Sequence, residues 1–290
     1  MPSPDRPRLF GASFASEMVN VGLAVRRELA LAAIGLAGTC LLATVTSIRF
    51  HDQLTFMPEL LLPGQVVALI LPWLVWRGDP PFGRAYLWTL PVRRQQAAAA
   101  KIAAGAVWLM LAMLLAFLML AATSLATGGT IGLTEIRLVG PFNSSIDRAI
   151  PTLWSTPLWM WAVPFGAVLT AYVASSALFL GLRHPVRVVA AVAVMVALVM
   201  VLAVNLGADH PLYHALGRLA ETVVGGRWGL DFAITGGVAA LSEDVDVPGP
   251  GSKDLWVALP TAGRWAAALL VWFGGALLAL ALALRRHWEH

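Results

Sequence analysis

The chain is organised by six long runs of apolar residues separated by polar segments. A helix needs about 20 apolar residues to cross a hydrocarbon core that is about 30 Å thick. The pattern therefore predicts an all-α integral membrane protein in which residues 1–290 form a single transmembrane domain. The six predicted spans are Leu29–Ile48, Pro58–Trp76, Ile102–Ala126, Pro157–Leu182, Val186–Leu206 and Gly263–Leu284.

A different pattern precedes the first span. Apolar residues recur at helical spacing between residues 12 and 28, and polar residues occupy the other faces. This spacing predicts an amphipathic helix that lies in the membrane interface, with its apolar face formed by Phe14, Met18, Val21 and Val25. The alternative is a helical extension of the first span.

Composition and charge set the class and the orientation. Only 12% of the residues are charged and mean hydropathy is +0.76, whereas a soluble domain carries about 25% charged residues. The sequence pI of 9.8 does not indicate nucleic acid, because most of the 20 Lys and Arg residues lie in short loops beside the spans on one side. That bias predicts a multi-pass protein with both termini in the cytoplasm. The Ala-, Gly- and Arg-rich composition is typical of a bacterial chain, which places it in the inner membrane.

Two long segments fall on the opposite, outer side. Residues 127–156 contain Gly and Pro and lead into a cluster formed by Trp154, Trp159 and Trp161, and residues 207–262 form the longer loop between the last two spans. Within the second loop the apolar spacing of Pro211–Val224 predicts a short helix, while the acidic, Pro- and Gly-rich stretch Ser242–Lys253 predicts an exposed loop. An extracytoplasmic partner or a substrate gate is consistent with such a loop.

The spans themselves carry almost no chemistry. No Asp, Glu, Lys, Arg or His lies away from the span ends, and such groups are what proton-coupled transporters and intramembrane hydrolases use. No phosphate-binding motif is found, so we expect no cofactor and no enzymatic activity in this chain. His210 and His214 have the four-residue spacing of a metal pair, but no third ligand is evident. We therefore favour a structural role for both histidines.

The cytoplasmic segment 77–101 between the second and third spans carries the strongest signal. After Pro80-Pro81, the residues Phe82, Tyr86, Leu87 and Leu90 form the apolar side of a short helix that ends at Pro91. A second helix begins near Arg93 and continues into the third span. The pattern predicts a short amphipathic helix that is held between two spans and faces the cytoplasm.

The sequence Leu87-Trp88-Thr89-Leu90-Pro91-Val92-Arg93-Arg94, followed by Lys101, resembles the "Leu-Leu-x-Leu-Pro-Val-Ser-Arg-Arg … Gly-Lys-Leu" segment of type-2 ABC transporter permeases. Six spans, an N-terminal interfacial helix and a long last outer loop are also similar to that family. The layout covers nearly the whole chain, whereas the motif covers about fifteen residues. The sequence departs from the family where Arg93 replaces the usual Ser and where Gly78-Asp79-Pro80-Pro81 precedes the helix.

The resemblance implies a function. In the family this segment holds a coupling helix that docks on a separate cytoplasmic ATPase subunit, which binds ATP and Mg. Two permease chains, identical or paralogous, form the export path between them. The coupling role then falls on Phe82, Arg84, Tyr86, Leu87, Leu90, Arg93 and Arg94. The apolar, Trp-rich spans favour an amphipathic or lipid-like substrate.

Two other functions stay open at this point. The first is a non-transporting membrane anchor or assembly subunit whose outer loops recruit an extracytoplasmic partner. The second is a membrane enzyme that works at the outer surface with His210, His214 and nearby acids. No complete set of acid, base and nucleophile can be drawn for the enzyme, and membrane lipid is a partner under all three functions.

Overall fold

Residues 6–77, 94–141, 149–206, 210–226, 228–246 and 252–286 are described by a computed structural model. The prediction of six spans is confirmed, because within these ranges six helices are long and apolar enough to cross a membrane. Four of the six begin within one residue of the predicted start: the candidate spans are Phe14–Phe50, Pro58–Val75, Gln95–Ala126, Leu158–Gly181, Pro185–Asn205 and Ala262–Arg285. The protein is a multi-pass membrane protein.

The long helices are joined by shorter elements. The helices are α1 (Arg6–Phe50), α2 (Gly64–Val75), α3 (Arg94–Ala126), α4 (Val163–Gly181), α5 (Pro185–Leu206), α6 (Pro211–Ala220), α7 (Leu230–Thr235), α8 (Val238–Leu241) and α9 (Ala262–Arg286). Two 3₁₀ turns, Pro58–Leu61 and Leu158–Ala162, lead into α2 and α4, and the π-helical turn Glu221–Gly225 extends α6. The predicted helix at Pro211–Val224 is thus confirmed.

The N-terminal segment is continuous with the first span. The structure has one unbroken helix, α1, where the sequence predicts an interfacial helix over 12–28 followed by a separate span. At 1.5 Å per residue this helix is about 67 Å long, more than twice the thickness of a hydrocarbon core. The division into two elements is corrected: no Gly or Pro lies at the junction near Glu28, so nothing interrupts the backbone hydrogen bonds.

The all-α prediction needs a second correction, because the two long loops contain four strands. They are β1 (Thr134–Val139), β2 (Ile150–Ser155), β3 (Ser242–Asp246) and β4 (Ser252–Trp256), in the order β2-β1-β4-β3. The stretch predicted as an exposed loop, Ser242–Lys253, contains β3 and the first two residues of β4, and these two strands pair antiparallel. A parallel contact between β1 and β4 joins the two loops into one sheet.

Helix α4 occupies the centre of the helical part. Its most extensive contacts are with α9 and α2, and it also contacts α3 and α7. Helix α1 packs chiefly on α3. The main core contains Leu71, Leu109, Val168 and Tyr172, each of which is almost completely buried. We call the two ends of the bundle the Arg77 end, where α2 ends and α3 begins, and the sheet end.

Candidate functional site

Most of the residues predicted to couple to a partner lie outside the described residues. Phe82, Arg84, Tyr86, Leu87, Leu90 and Arg93 fall in the interval 78–93, and Arg94 is the first residue of α3. The structure therefore describes the two attachment points of this segment, Arg77 and Arg94. The helices that carry these attachment points determine what the segment is joined to.

Side chains next to both attachment points contact one another at the Arg77 end. Trp76 is buried, and the Lys101 ammonium lies 4.5 Å from the centroid of its ring, a distance at which a cation is attracted to the aromatic face. Arg77 Nη1 lies 3.2 Å from Glu28 Oε1 on α1. We call Glu28, Trp76, Arg77 and Lys101 the base. It connects α1, α2 and α3 next to the segment 78–93.

The predicted apolar face of the N-terminal helix is in contact with α3. Val21 and Val25 are buried, and Phe14 and Met18 pack against the same core. Trp108 Nε1 on α3 donates a hydrogen bond of 2.9 Å to the Met18 carbonyl oxygen. A side chain at Gly22 would overlap the Trp108 ring, so the glycine lets the two helices approach closely. The apolar face is thus covered by protein, while Val19 and Leu23 on other faces are exposed.

A second contact connects α3 to the central helix. Tyr172 on α4 is buried, and its hydroxyl donates a hydrogen bond of 3.0 Å to the Ile102 carbonyl oxygen. Gly105 on α3 leaves the space that the hydroxyl occupies, because a β-carbon built there would overlap the oxygen. About one turn further along α4, the Ser175 hydroxyl donates to the Leu69 carbonyl oxygen of α2 at 2.7 Å. Both helices that flank the segment 78–93 are therefore bonded to α4.

The sequence reasoning missed these contacts, although it contained a signal for them. Tyr172 is the single tyrosine within the six spans, and a buried hydroxyl in an apolar setting needs a partner. Gly105 interrupts the Ala-rich start of α3. The identity of the partner, a backbone carbonyl 70 positions away, is not encoded in any local pattern.

At the sheet end, Arg137 is the central charged residue. Its guanidinium carbon lies 3.4 Å from the centroid of the Trp154 ring and 3.7 Å from that of Trp256, and its Nε lies 2.6 Å from Glu135 Oε1. Arg137 belongs to β1, Trp154 to β2 and Trp256 to β4. Cation–π contacts of this kind are worth about 0.5–2 kcal/mol each. Arg137 thus contacts side chains of both long loops and stabilises their association.

The two histidines considered for metal binding lie at the start of α6. His210 is the N-cap of the helix, and its Nδ1 accepts a hydrogen bond of 3.2 Å from the Leu212 amide. His214 contacts Tyr213 edge to face, with ring centroids 6.2 Å apart. Among the described residues no group of three or more His, Cys, Asp or Glu side chains could hold a metal ion. His210 therefore caps the start of α6.

No protein-family model matches the chain, and no curated protein or solved structure matches it either.

Proposed function

We propose that the chain is the permease subunit of an ATP-driven exporter of the type-2 ABC class, in the bacterial inner membrane with both termini in the cytoplasm. The Arg77 end is then the cytoplasmic end. Segment 78–93 holds the coupling helix, which docks on a separate ATPase subunit that binds ATP and Mg. The motif from Leu87 to Arg94 and the six spans support this class.

The observation that carries the proposal is the position of the base. Segment 78–93 leaves α2 at Arg77 and enters α3 at Arg94, and both helices are bonded to α4 through Ser175 and Tyr172. A push on the segment therefore reaches the centre of the bundle through packed helices and not through a flexible linker. Such transmission requires two packed arrangements that ATP binding favours differently.

The N-terminal helix has a supporting part in this function. Its apolar residues lie against α3, which leaves Arg26 and Arg27 exposed on the same helix near the base. In the proposed orientation these two arginines lie where anionic headgroups of the cytoplasmic leaflet attract basic side chains. We therefore keep the interfacial position of Phe14–Val25 as a proposal. In this arrangement the apolar face of the segment packs on α3.

A second copy of the chain, or a paralogue, completes the path. Helix α5 contacts the rest of the chain through few residues, and nearly all of its side chains are exposed, as is the sheet-end half of α1. Val194, Leu198 and Val201 are each more than half exposed. Two copies that meet on such helices would enclose an apolar path, which suits an amphipathic or lipid-like substrate.

The test is co-purification and transport. We expect the chain to co-purify with an ATPase encoded beside it, and proteoliposomes of the complex to move a fluorescent short-chain phospholipid in a vanadate-sensitive manner. Phe82→Asp combined with Tyr86→Asp removes the predicted aromatic anchors, so the bound ATPase should fall about tenfold or more.

The matched control is Gln95→Asp, which places a carboxylate on an exposed position at the start of α3 outside the predicted docking face. It should leave binding and transport unchanged. Full ATPase binding by the double variant would refute the coupling role. A complex that hydrolyses ATP without vanadate-sensitive lipid movement would refute the proposed substrate class. A chain that binds no ATPase at all would favour the anchor function.

A further inference from the structure

A groove of about 820 Å³ runs along the junction of α4 and α9. Ala and Gly residues of both helices line most of its length, which keeps the space open where larger side chains would fill it. On α4 the lining extends from Ala167 to Leu182, a distance of about 22 Å at 1.5 Å per residue. Its volume lies in the range of sites that hold small ligands, about 300–1,000 Å³.

Helix α7 forms a roof over the sheet end of the groove. Helix α7 contributes Leu230, Ala233 and Ile234 to the lining. Asp231 holds this roof in place: its Oδ1 accepts from the Thr235 hydroxyl at 2.8 Å, and its Oδ2 accepts from the Ala240 amide at 2.9 Å. Trp272 on α9 lines the groove and donates through Nε1 to the Trp228 carbonyl oxygen at 3.0 Å.

The long side of the groove is open. Leu178 on α4 and Leu282 on α9 line it and are 45% and 51% exposed. Both belong to helices that cross the membrane, so the opening faces hydrocarbon. The molecule that enters by this route comes from the bilayer, and the portion that lies along the alanines is apolar.

Two polar side chains, Gln65 and Thr170, line the groove among its apolar residues. Gln65, the second residue of α2, lines the groove beside Thr170 and Ala171. Its Nε2 is buried and has no hydrogen-bond acceptor among the described residues. The neighbouring Thr170 hydroxyl donates to the Gly166 carbonyl oxygen at 2.8 Å. An amide N–H buried without a partner is destabilising, and a ligand carbonyl in the groove would accept its hydrogen bond.

We propose that this groove binds one acyl chain of a phospholipid from the surrounding bilayer. The chain lies along the alanines of α4 and α9, and its ester carbonyl accepts a hydrogen bond from Gln65 Nε2. The site lies within a single copy, apart from the path proposed between two copies. It requires neither ATP nor the coupling segment, so the proposed function stands or falls separately.

The test uses the full chain in detergent with a phospholipid that carries a diazirine in its acyl chain. After illumination, mass spectrometry locates the label. We expect labelling of Leu178, Leu182 and Leu282 to saturate as the photoreactive lipid is titrated, and to be competed by unlabelled phospholipid. Labelling of Leu198 on exposed α5 should rise without saturation, because that surface meets only bulk lipid and detergent.

Two variants separate the groove from its polar end. Ala174→Leu with Ala279→Leu fills the groove and should abolish saturable labelling, whereas the matched change Ala197→Leu on exposed α5 should preserve it. Gln65→Leu keeps the volume and removes the donor, so half-saturation should require about three- to tenfold more lipid.

Three results would overturn the proposal. The first is labelling of the groove that rises without saturation, as on α5. The second is saturable labelling that survives the double Leu variant. The third is a cross-linked dimer formed by Leu178→Cys in a Cys40→Ala background, since that would show a second copy of the chain in the groove instead of a lipid. Normal half-saturation in Gln65→Leu would refute the carbonyl contact.

Discussion

Helices α4 and α5 are neighbours in sequence and similar in length, yet they meet opposite surroundings. In the most apolar 18 residues of each candidate span, 50% are buried inside the structure for α4 and 6% for α5, although α5 is the more apolar of the two. Apolar length makes both of them spans. It does not decide what covers them, because lipid tails accept an apolar surface as readily as another helix does.

The residues that distinguish the two helices are small or polar. Helix α4 carries Gly166, Tyr172 and Ser175, each of which meets another helix: Gly166 lies against Leu269, and the two hydroxyls donate across helix boundaries. Small residues permit close approach, and hydroxyls supply interhelical hydrogen bonds. Helix α5 is built mainly from Val, Ala, Leu and Met, and its Asn205 donates to its own helix, to the Val201 carbonyl oxygen.

We expect the largest loss of stability from a substitution at the contact between α3 and α4. Gly105→Leu would place a side chain in the space of the Tyr172 hydroxyl, and overpacking of this kind costs about 1–3 kcal/mol. We expect a loss near the upper limit, measured by thermal unfolding of the purified chain in detergent. The matched control is Gly38→Leu on α1, which meets open space and should leave unfolding unchanged. Equal stability of the two variants would show that α4 does not pack on α3 as described.

The hydrogen bond of α4 gives a smaller effect. Tyr172→Phe keeps the ring and removes the donor to the Ile102 carbonyl oxygen, so the free energy of unfolding should fall by about 1 kcal/mol. Tyr213→Phe on α6 is the control, because that tyrosine is 42% exposed and should respond little. Thermal unfolding of both variants under identical detergent conditions measures the difference. No change in Tyr172→Phe would assign the role of this residue to packing of its ring alone.

Helix α5 should give the smallest change in stability. A tryptophan scan over residues 189–201 should alter the free energy of unfolding by less than about 0.5 kcal/mol at each position, since these side chains are exposed or nearly so. The same scan should weaken dimerisation about tenfold on one face and leave the other unaffected. Cross-linking or light scattering of the purified chain reports the dimer. Uniform dimerisation throughout the scan would mean that α5 faces only lipid.

The sheet shows a different limit of local patterns. Strand β1 alternates between Glu135 and Arg137 on one face and Ile136 and Leu138 on the other, a recognisable strand signal. The membrane spans around it favour a helical interpretation of the whole chain, so the sequence pattern predicts no strand there. The pairing of β1 with β4 could not have been found locally, because more than a hundred residues, including the two membrane-spanning helices α4 and α5, separate the two strands.

The candidate site also combines features predicted from the sequence with contacts that only the tertiary structure shows. The sequence placed a short helix after Pro81 and supplied the motif from Leu87 to Arg94, and that part stays a prediction because residues 78–93 lie outside the described ranges. What the tertiary structure added is the base beneath the segment. Three contacts join residues that are distant in the chain. They are the ion pair of Arg77 with Glu28, the cation–π contact of Lys101 with Trp76 and the hydrogen bond of Tyr172 to the Ile102 carbonyl oxygen.

By itself, the sequence determined that this is a multi-pass membrane protein with six spans, because crossing hydrocarbon requires a local property, some 20 apolar residues in succession. The tertiary structure decided which spans are covered by protein, where the groove opens and how the two loops form one sheet. Those outcomes depend on contacts between distant residues, such as Gly105 with Tyr172 and Arg137 with Trp256. An uncharged span accepts many neighbours, and only the shape of small and polar side chains selects among them.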